Sequence, residues 1–299
     1  MFIIALAWTF NPFYNLIPLG VIWAIGISMV ILGILIRWKL PVIALISISA
    51  IILLGHNALD FIETTPGFSP NFWWDLLHTG YFKPYEFAPH HFVLLIYPFV
   101  PWTGLMIAGY CAGRVFSSAV TQEQRFRILM YSGFAMILVF GILRFSNIYG
   151  DPIDWTSQST YWKTFLNFIN VDKYPPSLLY LCITLGPAML LLIAMEKYSN
   201  AFTKQISIFG RTAFFYYILH LYLIHLLASI AFFARGHQLS EAIESAKNLP
   251  FLFLIPGEGF ELWGVYVIWF LVLLILFPIC KWYDVYKSRN KAKWWLRYL

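Results

Sequence analysis

The chain has 299 residues, of which 60% are hydrophobic and only 11% are charged. Soluble globular domains carry about 25% charged residues, so this composition excludes a soluble domain and indicates an integral membrane protein. The net charge of +6 would also suit a nucleic-acid-binding protein. However, the cations are sorted between alternate connecting segments, which indicates membrane topology and attraction to anionic lipid. We therefore expect the lipid bilayer as a partner and no nucleic acid.

Long apolar runs alternate with polar connecting segments along the chain. A helix needs about 20 residues to cross the hydrocarbon core, whereas the strands of a barrel would be shorter and would alternate in polarity. The pattern therefore predicts an all-α fold, a polytopic transmembrane helical bundle with seven full spans. We place these spans at residues 16–36, 41–57, 92–113, 127–144, 176–195, 212–234 and 262–280.

A shorter apolar run, MFIIALAWTF, forms the first ten residues. As a helix it would rise by only ~15 Å, about half of what a crossing needs. We interpret it as a partial span, the outer end of a helix whose beginning is absent. The sequence thus predicts an N-terminally truncated version of a larger fold.

Charge is distributed unequally between the connecting segments. By these spans, fourteen of the twenty Lys and Arg residues lie on one side with three acidic residues, and the other eleven acidic residues lie opposite. Because cationic segments are retained in the cytoplasm, we expect a multi-pass protein of the inner (plasma) membrane with a cytoplasmic C-terminus. Residues 1–280 would form the transmembrane domain, and residues 281–299 a basic, aromatic tail on the inner leaflet.

Polar residues follow the second apolar run directly. His56, Asp60 and Glu63 have spacings of four and three, which would place them on one face of a continuing helix. A carboxylate one turn from an imidazole can fix the tautomer and raise the basicity of that imidazole, as a general base requires. His56 and Asp60 are therefore candidate catalytic residues, and Asn57 is a candidate substrate contact. The alternative is an ordinary hydrated helix end at the outer interface.

A second pair of histidines, His220 and His225, lies inside the span 212–234. The two side chains would point roughly 140° apart on a helix, which disfavours joint binding of one metal ion. We treat both as catalytic candidates, of which one would line a cavity and the other bond a neighbouring helix. Tyr216 and Tyr217 lie within a turn of His220. We expect no metal ion, since the cysteines show no metal-ligand or disulfide spacing at Cys111, Cys182 and Cys280.

Four further polar residues on the predicted outer side are candidate contacts for an anionic substrate group. Ser177 would lie near a helix N-terminus, a position that favours anions. Arg144 and Lys173 could supply positive charge, and Asn147 follows Arg144 by one turn. The alternative is a structural use, in which the two cations pair with neighbouring aspartates.

Arg211 lies at the predicted inner end of the span that contains the two histidines. Its guanidinium could contact a phosphate group that enters from the cytoplasm, because Arg binds phosphate oxygens through paired N–H groups. The alternative is an ordinary cationic anchor at the membrane surface. Arg211, Tyr216 and Tyr217 are our candidates for binding a nucleotide-containing donor.

Five short stretches stand out along the chain: LGHNALD at residues 54–60, YPFVPWTG at 97–104, NVDKYPPS at 170–177, LGP at 185–187 and FGRTAFFYYILH at 209–220. They resemble signatures of a bacterial polytopic membrane family, a domain of unknown function similar to the catalytic domain of heparan-alpha-glucosaminide N-acetyltransferase. The resemblance implies a membrane acyltransferase. It would take an acyl (acetyl) group from a cytoplasmic CoA thioester and deliver it to a small-molecule or glycan acceptor on the outer face.

The resemblance also implies that part of the family fold precedes this chain. Characterised relatives use a histidine after their first membrane helix, and that region has no counterpart here, so no histidine of this chain inherits the role by position. The truncated chain would then be inactive alone unless His56, His220 or His225 replaces it. Two other classes stay open: a transporter or channel with a continuous polar path, and a non-catalytic membrane assembly protein. A homo-oligomer is also compatible with the sequence.

Overall fold

The computed structural model describes residues 1–80, 82–248 and 250–297, so the last two residues of the predicted tail lie outside the described part. Helices dominate these ranges. They are α1 (Phe2–Thr9), α2 (Val21–Arg37), α3 (Val42–Gly55), α4 (Asp60–Glu63), α5 (Phe72–Leu77), α6 (Phe99–Ala112), α7 (Gln122–Ser146), α8 (Tyr161–Ile169), α9 (Leu178–Lys197), α10 (Ala201–Arg211), α11 (Ala213–Ala234), α12 (Leu239–Asn248) and α13 (Leu262–Arg289). Single 3-10 turns occur at His56–Leu59, Gly113–Phe116 and Trp294–Arg297.

A small β-sheet, which the sequence did not predict, accompanies the helices. Its strands are β1 (Leu16–Leu19), β2 (Lys83–Ala88) and β3 (His91–Leu95), arranged in the order β1–β3–β2. The chain divides into two compact units. The first contains Met1–Pro18, Glu86–Phe92 and Tyr198–Leu299, and the second contains Leu19–Tyr85 and Val93–Lys197.

Five helical segments of the described residues are long and apolar enough to cross a membrane. They are Val42–Glu63, Gln122–Ser146, Leu178–Lys197, Ala213–Ala234 and Leu262–Arg289. Most of their apolar side chains face outward, as helices in lipid require. The chain is thus a multi-pass membrane protein. The predicted total of seven full spans is not confirmed, because two of the seven apolar runs form shorter helices.

The two shorter helices have a common cause in their first residues. The run 16–36 begins as the strand β1 and becomes helical only after Gly20, which leaves the 17 residues of α2. The run 92–113 begins as the strand β3, and α6 starts after Pro98 with 14 residues. The proline ring suits a helix start, whereas inside a helix it removes a hydrogen-bond donor. The kink that Pro98 would cause in a longer helix is therefore replaced by a helix end.

Within the second unit, α7 packs against α9 at a contact between two glycines. A Cβ atom on Gly133 would lie 2.9 Å from the carbonyl oxygen of Gly186, and a Cβ atom on Gly186 would lie 2.9 Å from Ile137 Cγ1. Small residues allow membrane helices to approach this closely. The same unit packs α3 against α6, where a Cβ atom on Gly104 would lie 2.6 Å from Ile52 Cγ2.

Within the first unit, α1 packs against α11, and α11 and α10 both pack against α13. The first apolar run forms the eight-residue helix α1, and its interpretation as a partial span stays a prediction. At the other end, α13 continues to Arg289, so the predicted tail from residue 281 begins inside a helix. The domain boundary placed at residue 280 stays a prediction.

Candidate functional site

A group of buried polar side chains lies in the second unit, where the span Val42–Glu63 ends. The backbone changes there from α-helix to a 3-10 turn at His56–Leu59 and then to the single turn α4. This segment places His56, Asn57 and Asp60 inside the unit, with 5%, 2% and 7% of their surfaces exposed. Buried polar groups must find partners, so their contacts define what this site can do.

Glu63 is the anchor of the group. Its Oε1 atom accepts hydrogen bonds from Trp74 Nε1 at 2.7 Å, Thr79 Oγ1 at 2.8 Å and His78 Nδ1 at 2.7 Å. Trp74 and His78 are carried by α5 and the residue after it, whose N-cap Asn71 accepts a bond from Trp74 N. Oε1 thus accepts from two neutral donors and an imidazole at once. We interpret the carboxylate as ionised, because an ionised carboxylate is purely an acceptor.

His78 connects Glu63 to His56. Its Nδ1 atom faces Glu63, and its Nε2 atom lies 3.2 Å from His56 Nδ1. If His78 is neutral, the proton on Nδ1 is donated to Glu63, and Nε2 must then accept the Nδ1 proton of His56. This assignment leaves the lone pair of His56 on Nε2, an atom that is buried and has no hydrogen-bond partner among the described residues. We call Glu63, His78 and His56 the histidine relay.

Asp60 does not bond His56, although their spacing suggested that it would. Its Oδ2 atom accepts a hydrogen bond from Asn57 Nδ2 at 2.8 Å, and its Oδ1 atom has no partner among the described residues. Asn57 Oδ1 in turn accepts from the backbone N–H of Leu178, the first residue of α9, at 2.8 Å. Asn57 therefore ties the histidine relay segment to the start of a second span.

The start of α9 is held by a network around Asp151. Its Oδ2 atom accepts from Ser177 Oγ and from the backbone N–H of Asp172, each at 2.8 Å. Ser177 Oγ also accepts from Tyr180 N at 3.0 Å, which is the bond of a helix cap. Burial raises the pKa of Asp172, whose Oδ1 accepts from Tyr174 N. Ser177 is thus engaged in local structure, at the helix N-terminus where the sequence placed it.

Arg144 is fully buried, and backbone carbonyl oxygens accept hydrogen bonds from its guanidinium. Its N–H groups donate to the backbone carbonyls of Phe168, Ile153, Asn167 and Asn170 at 2.7–3.1 Å. Its Nη1 atom also lies 3.5 Å from Asp151 Oδ1. These contacts favour the structural alternative for Arg144, because they fill the planar donor set of the side chain.

Asn147 and Lys173 have different surroundings. Asn147 ends α7 in the left-handed region with φ of 50°, and its amide exchanges two hydrogen bonds with the backbone of Trp155. Lys173 holds its ammonium over the aromatic rings of Tyr97 and Tyr174, 5.9 and 5.1 Å from their centroids. The phenol oxygens of the two tyrosines are 3.3 Å apart. Lys173 therefore keeps a charged group beside hydroxyls, which suits a polar ligand.

The two other candidate histidines lie in the first unit. Both nitrogens of His225 face carbonyl oxygens, Nδ1 at 2.9 Å from Trp8 and Nε2 at 2.8 Å from Leu252. Its ring also stacks on Phe10 at 4.2 Å. These contacts favour a structural link between α11, α1 and the segment before α13. His220 is half-buried, and its Nδ1 lies 3.2 Å from the carbonyl of Tyr216.

The candidates for donor binding also lie in the first unit. The Arg211 guanidinium donates to both carboxylate oxygens of Asp284, at 2.8 and 2.7 Å, and to Ser207 Oγ at 2.7 Å. Tyr216 stacks on His220 at 5.3 Å, and Tyr217 lies at the same distance in a tilted orientation. These aromatic contacts reproduce the expected proximity of the tyrosines to His220.

Asp60, Glu63 and His78 form a group that could hold a metal ion, because one ligand atom of each lies within 4.8 Å of the others. The sequence offered no sign of this group, since His78 is separated from Glu63 by a loop of 15 positions.

Comparison with known proteins supports the resemblance in the first half of the chain. Residues 1–147 match the family model described as "Heparan-alpha-glucosaminide N-acetyltransferase, catalytic". This match contains His56, Asn57, Asp60, Glu63 and His78, and it ends before the stretches at 170–177 and 209–220. No curated protein and no solved structure matched the chain. The chain thus resembles the catalytic part of this N-acetyltransferase over the residues that build the histidine relay.

Proposed function

We propose that this protein is a membrane acyltransferase in which His56 accepts the proton of the attacking nucleophile. The observation that carries the proposal is the buried His56 Nε2 atom, which has no partner among the described residues. It stands at the end of hydrogen bonds that begin at Glu63. The match of residues 1–147 to an acetyltransferase catalytic model supports acyl transfer as the reaction.

The chemistry of acyl transfer needs a base of this kind. An amine or hydroxyl acceptor loses its proton as it attacks the acyl carbon of a thioester, and a positioned imidazole contributes typically 10²–10⁴-fold to such a step. His56 Nε2 would take the proton while the C–N or C–O bond forms and the C–S bond breaks. The proton then passes from His56 to the CoA thiolate or to water. Glu63 stabilises the positive charge that develops on the two imidazoles.

Sidedness in this proposal follows from charge sorting. The histidine relay lies at the end of its span that precedes the acidic segments, which the positive-inside rule assigns to the outer face. The acceptor would therefore bind outside, with Lys173 as its polar contact, and the thioester would come from the cytoplasm. Asn57, Arg144, Asn147 and Ser177 would support the loops around the acceptor rather than bind it.

Donor binding rests on the resemblance to acetyltransferases. Arg211, Tyr216 and Tyr217 remain the candidates for contacts with acetyl-CoA. Asp284 accepts two of the five N–H groups of Arg211 and Ser207 accepts a third, so a phosphate group could bind the remaining two or take the place of Asp284.

The experiment uses the full chain reconstituted in nanodiscs, with acetyl-CoA as donor and glucosamine as probe acceptor. Release of CoA thiol and formation of acetylated amine are measured together. The His56→Ala variant should lose transfer by about 100-fold or more. The exposed His90 is the matched control, and His90→Asn should retain full activity because Asn also tolerates its positive φ of 60°.

Other outcomes would support other classes of protein. Transfer that is unchanged in His56→Ala would contradict the proposal. Solute flux in proteoliposomes without thioester consumption would favour the transporter or channel. Complex formation that requires neither flux nor transfer would favour a non-catalytic assembly protein.

A further inference from the structure

Two carboxylates and an imidazole meet at one buried point of the second unit. Ligand atoms of Asp60, Glu63 and His78 all lie within 4.8 Å of one another. The three residues come from α4 and from the end of α5, so two separate elements converge on this point. Carboxylate oxygens and imidazole nitrogens are the ligands that zinc uses in three-residue sites.

An unpartnered oxygen on one of these three side chains is the second observation. Asp60 is 93% buried, and its Oδ1 atom has no hydrogen-bond partner among the described residues. Its other oxygen is already held by Asn57 at 2.8 Å, which fixes the carboxylate in place. Burial of a carboxylate oxygen without a hydrogen-bond partner costs the free energy of its lost hydration. A proton or a cation bound at the oxygen would offset that cost.

The charges around this point also lack a balancing cation. Glu63 pairs with the imidazole of His78, and none of the ion pairs formed by the described residues brings a lysine or arginine to Asp60 or Glu63. Two carboxylates this close in a low-dielectric environment repel each other. One divalent cation would neutralise both and give the free Asp60 oxygen a ligand bond.

From these observations we propose that Asp60, Glu63 and His78 bind one zinc-type divalent cation. Zinc has ligand distances of about 2.0–2.2 Å, so the side chains would have to rotate: His78 Nδ1 and Glu63 Oε1, now 2.7 Å apart, would separate to admit the ion, and Asp60 would move toward it. An imidazole nitrogen among the ligands favours Zn²⁺ over Mg²⁺, which prefers oxygen ligands in octahedral geometry. The fourth position would be taken by water.

Occupation of this site has a consequence that rests on the proposed function. A cation on His78 Nδ1 moves the proton of that ring to Nε2, which then donates to His56 Nδ1. The His56 proton must in turn sit on Nε2, because Nδ1 now accepts. The number of protons is conserved, but the lone pair that would accept the substrate proton is lost. Zinc should therefore inhibit acyl transfer.

The test is a zinc titration of the purified full chain in detergent. The protein is first treated with a chelator, and binding is then measured by isothermal titration calorimetry. The site predicts one Zn²⁺ per chain, and Asp60→Asn should weaken binding at least about 10-fold. His237→Gln is the matched control, because it removes an imidazole that contacts the carboxylates of Glu241 and Glu258 outside the proposed site. It should leave the stoichiometry and affinity unchanged. Binding that survives Asp60→Asn intact, or that disappears in His237→Gln, would overturn the site.

Two further measurements make the result independent of variant folding and of activity. X-ray absorption at the zinc edge of the wild-type protein should show one imidazole with oxygen ligands, whereas two or more imidazoles or any sulfur would contradict the assignment. Transfer assays with and without zinc then test the consequence. Zinc that binds without inhibiting would overturn the proton switch but not the site. A wild-type protein inactive without zinc would count against the proposed function alone.

Discussion

The Nδ1 atom of His78 lies 2.7 Å from Oε1 of Glu63, a residue 15 positions earlier in the chain. The other nitrogen of His78 faces His56, so Glu63 orients His78 and His78 in turn orients His56. Glu63 and His78 are positioning residues in this account, and His56 is the group that meets the substrate.

Removal of the charge at Glu63 should therefore affect turnover more than binding. We expect Glu63→Gln to lower kcat by at least about 10-fold, which corresponds to about 1.4 kcal/mol, with little change in KM for the acceptor. Glu86→Gln, at an exposed acid of strand β2, should leave both constants unchanged. A raised KM with unchanged kcat would assign Glu63 to substrate binding instead.

Arg144 should behave as a structural residue. Its guanidinium donates to four backbone carbonyls, which the single ammonium of a lysine cannot reproduce. We expect Arg144→Lys to lower the free energy of unfolding by about 3 kcal/mol, seen as a lower melting temperature in detergent. Arg127→Lys is the control, since Arg127 forms an exposed i,i+4 pair with Glu123 and should change stability by less than about 0.5 kcal/mol. A stable Arg144→Lys variant with impaired acceptor binding would restore Arg144 as a substrate contact.

The crossing of α7 and α9 should not tolerate an added methyl group. Gly133→Ala would place a Cβ atom 2.9 Å from the Gly186 carbonyl oxygen, which forces the helices apart. Overpacking of this kind costs about 1–3 kcal/mol. Gly141→Ala on the same helix meets no described atom within 4 Å and should be neutral or slightly stabilising. Equal melting temperatures for the two variants would contradict the close approach.

The segment after α11, which includes α12, should become less stable as the pH rises. The carboxylate of Glu241, and then that of Glu258, raises the pKa of His237 above its usual 6.5. The contribution of these pairs is thus fully present below pH 6.5 and is lost as the pH rises through the pKa of the folded state. Hydrogen exchange of residues 235–248, corrected for intrinsic rates, should accelerate as the pH rises above the usual histidine pKa of about 6.5. The acceleration should vanish in His237→Gln and persist in His90→Asn.

Apolar run length predicted much of the fold. The runs 127–144 and 212–234 lie almost entirely within α7 and α11, because about 20 consecutive apolar residues admit only a helix in lipid. The helices predicted at 16–36 and 92–113 are shorter in the structure, because the first residues of each run form a strand. Short apolar segments fit a strand as well as a helix. Gly20 and Pro98 mark where each strand segment gives way to a helix.

The candidate site was predictable only in its local part. The spacing of His56 and Glu63 put them on one face, and both belong to the same relay. Their link through His78 could not be read from spacing, because it depends on how the α5 segment folds back. The four carbonyls that bind Arg144 could not be predicted either, because every residue type carries a backbone carbonyl and the sequence does not show which ones will face the guanidinium.

The most direct test is the position of two imidazole protons in the metal-free protein. Nitrogen-15 NMR of histidine-labelled full chain, with signals assigned through His56→Gln and His78→Gln, distinguishes protonated from unprotonated ring nitrogens. The account predicts that the neutral form of each ring carries its proton on Nδ1, which leaves His56 Nε2 unprotonated. A proton on Nε2 of His56 in the neutral ring would contradict it, because no lone pair would then be available for the acceptor.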